Sequence, residues 1–158
     1  MFCPNCGKDC GEFKFCPECG TQLEAIRNGV TVGKKELKFP PPPIGKYKSA
    51  DGEWVEITRD AITFYKKKYF GLIYSSTKTE AIPFTEIYRV SIVPPKGIKA
   101  GILCVRGGMN KYQALATEMT VARDDSTSVY FNSPRYNTFW RIYLFLKQCA
   151  DIVNETEN

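Results

Sequence analysis

The sequence predicts two modules: a small metal-binding module built on four cysteines, then a mainly-β domain of about seven antiparallel strands. The strands are expected to form a partly open barrel that is capped by one C-terminal α-helix. Three observations support this fold class. A six-residue phrase containing two cysteines occurs twice near the N-terminus, apolar residues then alternate with a period of two, and the period changes to 3.6 after Ser133.

The repeated phrase places four cysteines at a spacing typical of metal ligands. Phe-Cys-Pro-Asn-Cys-Gly begins at Phe2, and Phe-Cys-Pro-Glu-Cys-Gly begins at Phe15, thirteen positions later. One Cys-x-x-Cys turn brings two sulfurs to an ion, and the second completes a tetrahedron with Zn–S bonds of about 2.3 Å. Gly7 and Gly20 follow these turns, where the chain often needs a positive φ. The predicted ligands are Cys3, Cys6, Cys16 and Cys19.

The ligand set favours a structural zinc ion. The chain contains no histidine, so a four-ligand site must use cysteine alone or cysteine with carboxylates. Four thiolates leave no open coordination position for water, which indicates a structural rather than a catalytic site. Iron also accepts four thiolates and stays open as the alternative metal.

Three of the seven cysteines lie outside this set. Cys10 is left over, because using it as a ligand would break the repeated phrase. Cys104 and Cys149 lie in apolar stretches and are expected to be small buried side chains. Five cysteines crowd into the first nineteen residues, which differs from the distributed pattern of a disulfide-stapled secreted domain.

A proline-rich linker is predicted between the two modules, over residues 23–45. Four consecutive prolines, Pro40 to Pro43, favour extended polyproline II and cannot continue a helix. We interpret the segment as a semi-rigid spacer in preference to a ligand for a proline-binding domain. The resulting division is a metal module at 1–22, the linker, the β-domain at 46–153 and a tail at 154–158.

Period-two alternation defines the strands of the larger domain. Arg59-Asp60, Gly107-Gly108 and Asp124-Asp125 are expected to form turns between strands. The predicted strands cover residues 54–58, 61–65, 72–78, 86–93, 101–106, 112–121 and 128–132.

The C-terminal helix is predicted to start at Ser133, as the cap, with Pro134 in the first position. One face carries apolar residues at helical spacing, and Trp140, Leu144 and Phe145 widen that face on both flanks. These three residues form a candidate interaction surface for the metal module, the linker or a second copy of the chain. The predicted core face consists of Phe139, Ile142, Tyr143, Leu146, Cys149, Ala150 and Val153.

These motifs resemble two known families. The doubled Cys-Pro-x-Cys-Gly phrase over residues 1–22 is similar to the short zinc ribbon found at the N-terminus of many bacterial proteins. Over residues 46–153, the strands and helix resemble the bacterial pleckstrin-homology (PH)-like family. The similar stretches are VEITRDAI at 55–62, IPFTEI at 82–87, GIL at 101–103 and ARDDSTSVYF at 122–131. In the wider PH family, basic residues near an early strand connection can hold phosphoinositide headgroups.

No catalytic set is recognisable, so an enzyme is not expected. The absence of histidine removes Ser-His and Cys-His pairs, and Gly107-Gly108 lacks the following helix of a phosphate loop. The leading hypothesis is a non-enzymatic adaptor or regulator, of bacterial type, that binds another protein through its PH-like domain. A homo-oligomer is also compatible with the sequence.

Two binding alternatives depend on basic residues. Lys66, Lys67 and Lys68 lie between aromatic residues and are candidate contacts for an anionic ligand or membrane surface. A nucleic-acid partner is disfavoured, because the net charge of +5 is spread along the chain and the metal module pairs its lysines with acids. With no leader and no apolar run of about 20 residues, we expect a cytoplasmic protein, with membrane association left open.

Overall fold

The chain forms two units in a computed structural model, one at residues 1–36 and the other at residues 37–158. The structure describes residues 2–3, 6–11, 13–20, 23, 37–50, 52–70 and 73–157, without the side chains of 68–79. Residues 24–36 of the predicted linker lie outside the described ones. Among the described residues, no helix combines the length and apolarity needed to cross a bilayer.

The second unit contains seven strands in two antiparallel sheets, with the order β1-β2-β3-β4 in one and β5-β6-β7 in the other. The alternating segments therefore do form a mainly-β domain, as predicted. The strands are β1 Gly45–Lys48, β2 Trp54–Ile57, β3 Ala61–Phe70, β4 Ile73–Pro83, β5 Ile87–Val93, β6 Gly101–Gly107 and β7 Ser128–Phe131.

The prediction of a partly open barrel is wrong, because the two sheets do not close on each other. Closure of a barrel needs a continuous ladder between all neighbouring strands. In the described residues, the first and last strands are linked near Ala50, whose amide donates to the carbonyl of Tyr130 at 2.9 Å. This contact lies beyond the end of β1 and does not extend into a ladder.

Two strands of the first sheet, β3 and β4, extend beyond their predicted ends, β4 as far as Pro83. Thr58 and Ala61 close the predicted turn at Arg59-Asp60, with the amide of Thr58 3.0 Å from the carbonyl oxygen of Ala61. β3 then continues to Phe70 instead of ending near residue 65, and it pairs with β4 along its whole length. The lysine run at 66–68 therefore lies within a strand and not in a connection.

The predicted strand at residues 112–121 is wrong. The chain instead turns irregularly after β6 and then forms a short helix, α1, at Met119–Asp124. Two arginines bind the carbonyls of this irregular segment: the buried Arg106 donates to Ala114, and the half-buried Arg89 donates to Gln113. These side-chain bonds satisfy carbonyl groups that a neighbouring strand would otherwise bind.

The C-terminal helix, α2, covers Tyr136–Glu157 and extends past the predicted boundary of the tail at residue 154. Ser133 and Pro134 lie in a preceding 3-10 turn whose cap residue is Asn132, so the predicted cap at Ser133 is wrong. The predicted apolar face is confirmed. Tyr143 is partly buried, five residues are buried in the main core with the inner faces of the strands, and Val153 is buried near the end of the helix.

The proline run is attached to the second unit. The hydroxyl of Tyr47 donates to the carbonyl of Pro43 at 2.7 Å, and the ring of Phe39 packs edge-on against Phe84 at 6.2 Å. The part of the predicted linker from residue 37 onward thus belongs to the structure of the β-domain.

Candidate functional site

Each cysteine pair lies in a tight turn that ends on a glycine. The amide of Gly7 donates to the carbonyl of Cys3 at 2.9 Å, and the amide of Gly20 donates to that of Cys16 at 2.8 Å. Gly7 and Gly20 have φ values of 72° and 73°, which confirms the positive φ expected from the sequence. The two halves of the repeated phrase therefore adopt the same local turn.

The two turns bring all four predicted ligands together. The sulfur atoms of Cys3, Cys6, Cys16 and Cys19 lie within 4.8 Å of one another, and none of them is in a disulfide. Two sulfur pairs, Cys3 with Cys19 and Cys6 with Cys16, are 3.5 and 3.6 Å apart. Four sulfurs around one zinc ion would be about 3.8 Å apart along each edge of the tetrahedron. The arrangement is therefore close to that of a four-thiolate metal site.

The cluster has a buried side and an exposed side. Cys3 and Cys16, the first cysteine of each turn, are buried, whereas Cys6 and Cys19 are exposed. In the described part of this unit, the buried apolar residues are Cys3, Cys10, Cys16 and Leu23. A cluster of this size buries little apolar surface, so a bound ion would supply much of the stability of this unit.

Cys10 is buried beside the cluster but does not belong to it. Its thiol donates to the carbonyl of Lys8 at 3.3 Å, and burial raises its pKa to about 11. This geometry agrees with leaving Cys10 out of the ligand set.

Comparison of the chain with protein-family models, curated proteins and solved structures finds no match. The metal site therefore stands on the identity and geometry of its four sulfurs. Such a set can hold one ion tightly and offers it no vacant position for a substrate, because four protein ligands complete a tetrahedral shell.

Lys66, the first residue of the predicted anion contact, faces the interior of the β-domain. Its ammonium lies 2.8 Å from a carboxylate oxygen of Glu53 and donates to the carbonyls of Ala122 and Ser128 at 3.0 and 2.7 Å. Both side chains of this ion pair are buried. Lys66 therefore joins β3 to α1 and β7. Lys67 is half-buried, and the side chain of Lys68 lies outside the described ones, so their contact with an anion stays a prediction.

The predicted interaction surface on the C-terminal helix consists of one buried and two exposed residues. Phe145 is buried and packs edge-on against Phe84, with ring centroids 5.1 Å apart. Trp140 and Leu144 are exposed by 39% and 43%, one helical turn apart. The exposed part of the surface is thus formed by these two residues.

A buried ion pair that the sequence did not reveal organises the second sheet. Arg106 is fully buried on β6, and its guanidinium makes two hydrogen bonds to the carboxylate of Asp125, at 2.6 and 3.2 Å. The same guanidinium donates to the hydroxyl of Thr127 at 2.8 Å and to the carbonyl of Ala114 at 2.6 Å. The pair therefore connects β6, the irregular segment that follows it and the start of β7.

The pKa of Asp125 is set by two opposing effects. Burial alone would raise it, but hydrogen bonds from Arg106, Ser128 and the amide of Thr127, with the charge of Arg106, lower it overall. The folded state thus releases the proton of Asp125 more readily than the unfolded chain does. This contribution to stability is complete above the unfolded pKa and is lost as the pH falls through the folded one.

Replacing Asp125 with asparagine should therefore cost stability at neutral pH and progressively less in acid. The difference in unfolding free energy between the natural protein and D125N should shrink between about pH 5 and pH 2. Urea unfolding followed by tryptophan fluorescence measures it, because Trp54 and Trp140 are the two tryptophans of the chain and both lie in the second unit. Asp151→Asn, at an exposed position, is the control. A difference that stayed constant across this pH range would contradict the prediction.

Proposed function

We propose that the chain is a non-enzymatic adaptor or regulatory protein, in which a zinc-ribbon-like module and a PH-like domain present surfaces to another protein. The ion held by the four cysteines would be zinc in a structural role, with iron as the alternative. The proposal is supported by the closed four-sulfur set, which offers no position for a substrate. The absence of histidine supports it further.

The observation that carries the protein-binding role is the exposed apolar strip of α2. Trp140 has ring neighbours on its own helix, Tyr136 at 6.0 Å and Tyr143 at 5.2 Å, and Leu144 lies one turn further on. Exposed tryptophan is costly in water, and tryptophan is enriched among the residues that dominate the binding energy of protein interfaces. An exposed Trp-Leu pair on a rigid helix is well suited to bind a partner that supplies a complementary apolar pocket.

Affinity capture with the full chain tests this role. The natural protein and a Trp140→Ala/Leu144→Ala variant would serve as baits in lysate of the source cells, with quantitative mass spectrometry of the captured proteins. We expect at least one protein to be captured by the natural chain and to fall about tenfold or more with the variant, since two such residues can each contribute over about 1 kcal/mol.

Met109→Ala is the matched control, because Met109 is fully exposed and lies outside α2. It should leave capture unchanged. The proposal fails if no protein is specific to the natural chain, or if the control lowers capture as much as the helix variant does. Circular dichroism of all three proteins verifies that the fold is retained.

A further inference from the structure

The turn between β5 and β6 presents an apolar side chain directly to solvent. Lys96 and Lys99 close a two-residue turn through reciprocal backbone hydrogen bonds of 3.1 and 2.9 Å. Gly97 takes the positive φ of 59° that such a turn requires, and Ile98 occupies the tip with its side chain fully exposed. Tight hairpin turns favour Gly, Asn and Asp, so the backbone conformation of the turn does not explain why isoleucine occupies this tip. Because its side chain is fully exposed, it adds nothing to the core.

Ile98 lies among basic residues from three parts of the second unit. It lines two adjoining clefts together with Lys99, and Lys96 lines one of them. The smaller of these clefts shares Asn132 with a third cleft of about 480 Å³, whose basic lining residues are Lys46, Lys48 and Arg135. Strand β1, the β5–β6 turn and the segment before α2 therefore line a series of three clefts that share residues, and five cations are among the lining side chains.

This surface carries little compensating negative charge. Of the described residues that line the three clefts, Glu53 and Glu118 are the acidic ones, and the buried carboxylate of Glu53 is paired with Lys66. None of the five cations forms an ion pair within the part of the chain whose side chains are described. Arg135 donates to the carbonyl of Lys48 at 2.6 Å, which fixes the segment before α2 against β1. The positive charge is therefore held on ordered elements.

We propose that this surface, which we call the Ile98 surface, docks on a membrane that contains anionic lipid. Ile98 enters the interfacial region, while Lys46, Lys48, Lys96, Lys99 and Arg135 face the phosphates of the headgroups. Transfer of a projecting aliphatic side chain out of water lowers the free energy. A bilayer can bury such a side chain without a preformed pocket. An acidic protein partner would have to supply both the charge and a pocket matched to Ile98. Lys67, Lys68 and the exposed strip on α2 lie outside the Ile98 surface. Membrane docking through this surface is therefore independent of the proposed function.

The expected strength follows from the number of charges. Each Lys or Arg close to an anionic leaflet increases partitioning about fivefold, an effect that falls off over about 10 Å at 0.1 M salt. Removing two lysines beside Ile98 should therefore weaken binding about 25-fold. Replacing Ile98 with serine should weaken it by about five- to tenfold, since an aliphatic side chain is no longer transferred from water.

Vesicle flotation with the full, metal-loaded chain tests the proposal. The probes are vesicles of equal parts phosphatidylcholine and phosphatidylglycerol, and vesicles of phosphatidylcholine alone. The variants are Ile98→Ser and Lys96→Ala/Lys99→Ala. The matched controls, Met109→Ser and Lys147→Ala, change an exposed apolar residue and an exposed cation away from the Ile98 surface. All substituted side chains in this set are exposed, and circular dichroism verifies folding.

We expect the natural chain to float with the anionic vesicles and not with the neutral ones, and binding to fall with added salt. Both Ile98-surface variants should lose binding by the factors given, and both controls should change it less than about twofold. The proposal is overturned if the natural chain does not bind anionic vesicles. That result would be expected if the Ile98 surface bound an acidic protein instead of a membrane. It is equally overturned if the controls weaken binding as much as the variants do.

Discussion

Replacing Cys16 with serine is expected to abolish metal binding and to unfold the first unit, while the second unit stays folded. Cys16 is one of the two buried sulfurs of the cluster, so its loss opens the shell on the side that forms the core of the module. Structural zinc contributes an apparent 10–16 kcal/mol, about the whole folding free energy of modules of this size. Metal analysis measures the loss of the ion, and the amide NMR spectrum measures the unfolding of the first unit.

Cys10→Ser is the matched control for that experiment. It changes a buried cysteine of the same unit, but one whose thiol donates to a backbone carbonyl and lies outside the four-sulfur set. The control should keep one ion per chain and the dispersed amide signals of the first unit. A chain that kept its ion after Cys16→Ser, or lost it after Cys10→Ser, would contradict the ligand assignment. The ion recovered from the natural protein also decides between zinc and iron.

The metal ligands could be predicted because most of the requirements for the site are local. Two sulfurs in one turn need only the Cys-x-x-Cys spacing, and the glycine that follows each pair identifies the backbone conformation. Only the contact between the two turns is a tertiary interaction, and the repeat of the motif predicts this contact. The omission of Cys10 from the ligand set followed from the same repeat.

The sequence contains a signal for the burial of Lys66 that the predicted anion contact did not use. Lys66 has the same parity along β3 as Ile62 and Phe64, which are both buried, so strict alternation would have placed it on the inner face. A run of three lysines suggested solvent instead. The partner that makes burial tolerable, Glu53, lies 13 residues earlier, beyond the reach of any local pattern.

The error at residues 112–121 has a different origin. Tyr112 and Ala114 alternate with the polar residues Lys111 and Gln113 as a strand would, although Leu115 interrupts the alternation before Ala116. The structure follows instead from Arg106, whose buried guanidinium requires hydrogen-bond acceptors and takes the carbonyl of Ala114. Period-two alternation indicates which side chains are exposed. It does not indicate which groups form hydrogen bonds with the backbone N–H and C=O groups.

The largest single-residue effect expected in the second unit is that of Arg106→Met. Methionine fills similar space without charge, so the variant leaves the carboxylate of Asp125 buried without its ion-pair partner. Removing one member of a buried pair costs about 3–5 kcal/mol, a large part of the 5–15 kcal/mol that a domain normally has. Urea unfolding monitored through tryptophan fluorescence measures the loss. Lys147→Ala, which breaks the exposed pair with Asp151, should cost less than about 1 kcal/mol.

The loss should also be uneven within the unit. Arg106 holds the carbonyl of Ala114, and the amide of Ala116 in the same irregular segment donates to the sulfur of Cys104 at 3.5 Å. Without the guanidinium, this segment loses the anchor that replaces a neighbouring strand, so amide exchange at residues 113–118 should accelerate more than exchange in α2. Equal acceleration in both places would mean that Arg106 contributes only to global stability. A stability within about 1 kcal/mol of the natural protein would show that the buried pair does not hold the sheet.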